Sequence, residues 1–272
     1  MNGSVRIDYG PHPSQFLELF QPAGAAAPPW PVAVVIHGGF WRSAYGIELA
    51  RPLAADLAAA GVAAVALEYR RVGPDPRQGG GGWPHTLLDV AAGTDLLAGG
   101  LPGGASRALD VERVVAVGHS AGGQLAGWLA ARPGLPPGAV GAGPKVRLRG
   151  LVSQAGVLDL RWAHRAGLGA GAVADFIGGS PADRAEAYAA ASPIERLPLG
   201  LPSVCVHGSA DAEVPIEVSE RFVAAARAAG DSSRLVRLEG VDHDALIEPG
   251  HPAWQRCRTA VLELLGHAPG AQ

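Results

Sequence analysis

Short runs of aliphatic residues, separated by joints rich in glycine and proline, recur along the chain, and between them lie segments in which apolar positions return every third or fourth residue. Residues 32–36 (Val-Ala-Val-Val-Ile), 62–67, 111–117, 146–153 and 203–206 are runs of the first kind. They predict strands covered on both faces, because a half-exposed strand would alternate polar and apolar positions. Residues 47–60, 84–98 and 121–131 are of the second kind, with Leu87, Leu88, Ala91 and Leu96 marking the helical spacing of the middle segment. Gly61 closes the first of these helices and Pro84 opens the second. Strand followed by helix followed by strand predicts a parallel sheet joined by right-handed crossovers. At the start of the chain, 5–9 and 15–20 alternate around the turn Gly10-Pro11-His12-Pro13, which predicts two antiparallel edge strands, and 234–238 reads as one more short strand. The connector between the edge pair and the core spans 21–31. The expected class is α/β, with a mostly parallel central sheet and helices on both faces.

Two stretches break the rhythm. Residues 77–82, Arg-Gln-Gly-Gly-Gly-Gly, read as a mobile solvent loop ahead of Trp83. Residues 157–197 are too long for an ordinary connection and contain a helical pattern over 182–191. This predicts a small cap over the C-terminal edge of the sheet, with Trp162 and Phe176 as candidates for lining a substrate pocket. The whole chain, 1–272, is then a single domain with a cap insertion at 157–197.

Composition narrows the function classes. With 272 residues and 48% hydrophobic content, one large domain with a two-faced core is affordable without a second domain. The formal net charge of -3, scattered arginines and a single lysine, Lys145, give no basic surface for nucleic acid or an anionic membrane. The most apolar stretch, 49–67, is broken by Arg51, Pro52 and Asp56, and residues 1–8 lack the blocks of a signal peptide, so a soluble cytoplasmic protein is expected. Two cysteines, Cys205 in a strand run and Cys257 in the last helix, predict no disulfide framework. The glycines at 167–171 lack Rossmann spacing and no strand leads into them, so no nucleotide cofactor is expected. Asp242-His243-Asp244 has no second ligand pair, so no metal is expected.

The chemistry centres on Gly118-His119-Ser120-Ala121-Gly122, which a β-branched run enters and a helix-forming run leaves. In that context G-x-S-x-G predicts a nucleophile elbow, in which the turn exposes the Ser120 hydroxyl above the sheet and aims the Ala121 N–H at a developing oxyanion. Partners stand at the expected places. His37-Gly38-Gly39-Phe40-Trp41 follows the 32–36 strand and supplies Gly39 and Phe40 as further oxyanion donors, with Trp41 assigned to the core. Asp211 lies just past the 203–206 strand, and His243 follows the 234–238 strand. Glu213 and Asp159 are the rivals of Asp211 for the acid. Among the other histidines, His119 is expected to point away from the hydroxyl, His37 and His207 to bond backbone at strand ends, and His251 to start the last helix.

These four ordered motifs, together with Glu68-Tyr69-Arg70 and Trp83-Pro84, resemble the α/β-hydrolase superfamily over nearly the whole chain, and most closely its kynurenine-formamidase-like and small-carboxylesterase branch. The resemblance implies a cofactor-independent serine hydrolase in which Ser120 attacks, His243 is the general base and Asp211 orients it. Its expected partner is a small-molecule ester, or alternatively an activated amide such as an N-formyl aryl amine. Acyl-peptide cleavage ranks lower, for want of a propeller domain to gate peptides, and reuse of the fold as a non-catalytic binding module is the reading from another class.

Overall fold

The computed structural model describes residues 3–22, 27–75 and 77–267, so the predicted connector at 21–31 lies partly outside the described residues. Among those described, eight strands form one sheet: β1 (Val5–Asp8), β2 (Phe16–Phe20), β3 (Trp30–Ile36), β4 (Ala63–Leu67), β5 (Leu109–His119), β6 (Gly150–Gln154), β7 (Ser203–Gly208) and β8 (Ser233–Leu238). Their order is β1-β2-β4-β3-β5-β6-β7-β8. The first two strands are joined to each other and to β4 by antiparallel pairing, and every other neighbour is parallel. The helices are α1 (Arg51–Ala59), α2 (His85–Asp95), α3 (Ala121–Ala131), α4 (Leu160–Arg165), α5 (Ala172–Ile177), α6 (Ala185–Ala191), α7 (Glu217–Ala228) and α8 (Pro252–Leu265).

The parity of β3 explains the layering. Val32, Val34 and Ile36 project to one side, where they join a core that includes Leu87 of α2, Leu125 and Trp128 of α3 and Phe222 of α7. Ala33 and Val35 project to the other side, into a core with Leu53 and Leu57 of α1 and Trp254 and Val261 of α8. Because both faces are covered, the strand needs no polar alternation. Each fully buried aliphatic side chain contributes roughly 1.5–3 kcal/mol relative to exposure, so a polar substitution in β3 would strip one core outright.

The structure departs from the sequence pattern at three joints. The helix expected over 47–60 is divided into a short 3₁₀ turn, Ile47–Leu49, and α1, because Pro52 lacks an N–H and fits only the first turn of an α-helix. The strand expected over 146–153 begins only at Gly150; upstream, Val146 is buried while Arg147 and Arg149 are exposed, and the chain first meets β5 where Arg149 N–H donates to the Val114 carbonyl at 2.7 Å. The glycine run at 77–82 is not a free loop. It folds back on the chain after β4, with Arg71 N–H donating to the Gln78 carbonyl and Gly81 N–H to the Arg71 carbonyl, each at 2.9 Å. A Cβ at Gly81 would sit 2.2 Å from the Arg70 carbonyl oxygen, which explains the residue type. No described helix is long and apolar enough to cross a membrane.

Candidate active site

Ser120 sits where β5 ends and α3 begins, at φ 54° and ψ −119°, a conformation that costs a non-glycine residue of order 1–3 kcal/mol. Its surroundings hold it there. The Ser120 N–H donates to the Gln154 carbonyl of β6 at 2.8 Å, and its own carbonyl accepts from Gly123 N–H at 2.9 Å and Val157 N–H at 3.2 Å. The flanking glycines are required by backbone contact rather than by their own dihedrals. A Cβ at Gly118 would lie 2.1 Å from the Gly122 carbonyl oxygen, and one at Gly122 would lie 2.2 Å from the Ile36 carbonyl oxygen.

The His37–Trp41 loop crosses directly beside this turn. Gly39, Phe40 and Trp41 all have positive φ, at 104°, 52° and 55°. Such a path needs anchoring, and Trp41 provides it: its ring stacks on Phe176 at 4.5 Å and its Nε1–H donates to Gln124 Oε1 of α3 at 2.9 Å. Gln124 in turn donates to the Ala191 carbonyl at 2.9 Å, so one buried amide ties the loop, the helix after the elbow and the end of α6 together. At the start of the loop, Glu68 gathers His37 Nε2 at 2.9 Å, Tyr69 N–H at 2.9 Å, Ile47 N–H at 3.0 Å and the Arg71 guanidinium. The N–H groups of Gly39, Phe40 and Ala121 are engaged by no acceptor among the described residues.

His243 follows β8, and its Nδ1–H donates to Asp211 Oδ2 at 2.6 Å. Asp211 Oδ1 accepts the N–H groups of Glu213 at 2.9 Å and Val214 at 2.8 Å, while His207 Nε2 lies 3.2 Å from Oδ2. Burial alone would raise this carboxyl, but the His207 and His243 rings and the Val214 amide outweigh it and hold the group well below the usual carboxylate range. Asp211 is therefore ionised at neutral pH.

A cleft of about 340 Å³ opens over these groups, lined in part by Gly39, Phe40, His119, Ser120 and His243. The structure thus brings together Ser120, His243, Asp211 behind it, and the Gly39–Phe40 turn. It does not bring in the two aromatic pocket candidates. Phe176 is buried under Trp41, and Trp162 packs against the same core, so neither lines this cleft; the 157–197 segment turns its aromatic side inward instead. That segment does meet the loop through Gly169, where a Cβ would lie 2.4 Å from the Phe40 ring, and through Arg42, which donates to the Gly169 carbonyl at 2.8 Å. Asp159 caps α4 and pairs with Arg221, which removes it as a rival acid. Glu213 lines the cleft on the opposite side of the imidazole from Asp211, with Oε2 3.9 Å from Nε2.

His119 does not point away. Its Nε2–H donates to the His243 carbonyl at 3.0 Å, its ring lies 4.3 Å from the His243 ring, and it lines the cleft. Room for it comes from Gly38, where a Cβ would sit 3.1 Å from His119 Nδ1. Burial, and then the neighbouring His243, lower this imidazole to about 3. His207 bonds the Val214 carbonyl at 2.8 Å, a backbone partner at a strand end, but also adjoins Asp211; the i, i+4 spacing across the turn is the sequence signal for that second contact.

A family model described as BD-FAE matches residues 17–225. Esterase LipC of Mycobacterium tuberculosis is 27% identical over 254 residues, which cover 88% of this chain; the chain spans 59% of the length of that curated relative. Among solved structures, the esterase Est2 of the planctomycete Thermogutta terrifontis superimposes with a TM-score of 0.75 at 23% identity, covering 99% of this chain and 95% of its own. A truncated carbohydrate esterase from gut microbiota gives 0.79 at 19% identity, covering 96% and 95%. The architecture is the α/β-hydrolase fold.

Proposed function

Because the chain belongs to the BD-FAE family, and because its elbow serine shares a cleft with a carboxylate-bound imidazole, we propose that it is a serine carboxylesterase acting on small esters. The observation that carries this reading is the 2.6 Å bond from His243 Nδ1 to Asp211 Oδ2. It fixes the tautomer that leaves Nε2 unprotonated, on a ring lining the same cleft as Ser120.

In the proposed reaction Ser120 Oγ attacks the ester carbonyl carbon while His243 Nε2 takes its proton. The carbonyl π pair moves onto oxygen, and the N–H groups of Gly39, Phe40 and Ala121 receive that oxyanion. Collapse of the tetrahedral intermediate breaks the bond to the alcohol oxygen, which leaves with the proton from Nε2. Water then repeats the sequence on the acyl-enzyme and frees the acid and Ser120. Asp211, being ionised, stabilises the imidazolium at each stage. Residues 157–197 act as a cap: Gly169 and Arg42 hold the segment against the donor turn, and Gln124 links both to the elbow helix. The LipC and Est2 names support the ester assignment, as does a form of Est2 phosphoramylated by tabun, which has a TM-score of 0.74 at 24% identity.

A second reading, hydrolysis of an activated amide such as an N-formyl aryl amine, is favoured by the His37–Trp41 and Glu68–Arg70 motifs that resemble the kynurenine-formamidase-like branch. The same groups perform both reactions, differing only in whether an amine or an alcohol leaves. A fluorophosphonate probe tests the common mechanism: one equivalent of mass is added to the wild type and none to Ser120→Ala. Lack of labelling in the wild type would instead indicate a binding module. Parallel turnover of a short-chain nitrophenyl ester and N-formylkynurenine decides between ester and amide.

A further inference from the structure

The cleft beside Ser120 is electrostatically one-sided. Among the described residues, its lining includes three carboxylates, Glu213, Asp244 and Glu248, and neither lysine nor arginine. Elsewhere arginines neutralise carboxylates, as in Arg70 with Asp89, Arg132 with Asp95 and Arg221 with Asp159. Among the described residues, the one ionic contact of the three cleft carboxylates is Glu213 Oε2 to His243 Nε2 at 3.9 Å. That is too long for a hydrogen bond. Nε2 therefore belongs to a side chain only 6% exposed and faces the cleft with no hydrogen-bond partner among the described residues, with a carboxylate just beyond it.

The position of Glu213 says which part of a substrate it meets. In the reaction proposed above, Nε2 hands its proton to the departing alcohol oxygen, so the alcohol portion lies on the Nε2 side of the serine, toward Glu213. A neutral alcohol gains nothing from a carboxylate there. A cationic one is attracted both in the ground state and as it leaves, and an anionic one is repelled. We propose that the cleft selects esters whose alcohol portion carries a cationic centre, a protonated or quaternary amine a short chain from the ester oxygen, with Glu213 as the specificity-determining residue. This rests on the serine-esterase reading. Glu213 is half exposed, so water moderates the field, and opposite charges at such a separation give a preference of about five- to tenfold.

The test compares butyrylcholine with 3,3-dimethylbutyl butyrate, in which carbon replaces the quaternary nitrogen at nearly equal shape. The wild type should show a kcat/KM ratio of about five to ten in favour of the choline ester at low ionic strength, falling toward one in about 0.5 M NaCl. Glu213→Gln should bring the low-salt ratio below about two, with active sites counted by fluorophosphonate titration. A wild-type ratio at or below one, or a ratio that survives both salt and the substitution, overturns the inference. If Glu213→Gln does not fold, the salt dependence of the wild-type ratio decides alone. Failure of the esterase reading looks different: neither ester is then turned over in a manner that depends on Ser120.

Discussion

The ring of His119 lies 4.3 Å from the ring of His243, tilted by 46°, and its Nε2–H holds the His243 carbonyl at 3.0 Å. The residue immediately before the proposed nucleophile thus braces the proposed base from both its main chain and its ring face. If this bracing positions the imidazole, its loss has a kinetic signature. Replacing His119 by Ala should lower kcat by about tenfold or more with KM nearly unchanged, because a slack imidazole spends less time in line with the serine. His119→Gln, which restores a donor, should recover part of the lost kcat; kcat and KM that change in equal measure would reduce His119 to a packing residue.

The same imidazole has a consequence for stability. Burial and His243 hold it at about 3 in the folded chain, whereas an unfolded histidine titrates near about 6.5. Its folded pKa is depressed, so between those values the unfolded state binds the extra proton. Stability is full above about pH 6.5 and falls as pH drops toward about 3, with a slope near 1.4 kcal/mol per pH unit for one proton. His37, also lowered to about 3 by burial and by Arg71, adds in the same direction. Urea unfolding of His119→Phe between about pH 4 and 6 should give a shallower pH slope than the wild type.

Most of the frame was legible because it follows from local pattern. The β3 run, the helix from Ala121 and the edge pair β1 and β2 lie where aliphatic runs, helical spacing and turn residues predict them. The order of Ser120, Asp211 and His243 along the chain was equally readable, since each follows a strand end. What was not legible depends on space between distant segments. The direction of the His119 ring is decided by the room Gly38 leaves, and the inward turn of Phe176 by its stack on Trp41. Asp211 rather than Glu213 meets Nδ1, held there by the Glu213 and Val214 amides on its other oxygen.

The elbow glycines differ sharply from a glycine in open space such as Gly134. A Cβ at Gly122 would meet the carbonyl oxygens of Ile36 and His37 at 2.2 Å and 2.4 Å, both backbone atoms that cannot swing aside. Gly134 has nothing within 4 Å of the same construction. Gly122→Ala should therefore push α3 off β3, lowering stability by about 3 kcal/mol or more and abolishing fluorophosphonate labelling. Gly134→Ala should change neither by a measurable amount, and equal behaviour of the two in thermal melts would refute the contact argument.

Gln124 is fully buried and serves two partners, Trp41 Nε1–H and the Ala191 carbonyl. Gln124→Leu keeps the volume and strands both, at roughly 1–3 kcal/mol each. Thermal unfolding should show the loss. Because the loop with Gly39 and Phe40 is anchored through Trp41, residual folded protein should also lose kcat more than KM, the mark of a donor displaced from the transition state.

Asp211 carries the last prediction. Its carboxylate is ionised well below neutrality because the His207 and His243 rings and the Val214 amide overcome the cost of burial. Asp211→Asn preserves shape but removes the charge, and an amide that donates from its nitrogen can force the opposite tautomer on His243, with the proton on Nε2 facing the serine. A fall in kcat of about 10³-fold or more is expected. Stability responds with the opposite pH bias to a raised group. A carboxyl depressed by folding contributes fully above its unfolded value near about 3.9 and loses that contribution as pH falls below it, so wild type and Asp211→Asn should converge in stability only under acid conditions. A gap independent of pH from about 2 to 7 would mean that His207 and His243 hold Asp211 by geometry alone, without the charge that the proposed mechanism requires.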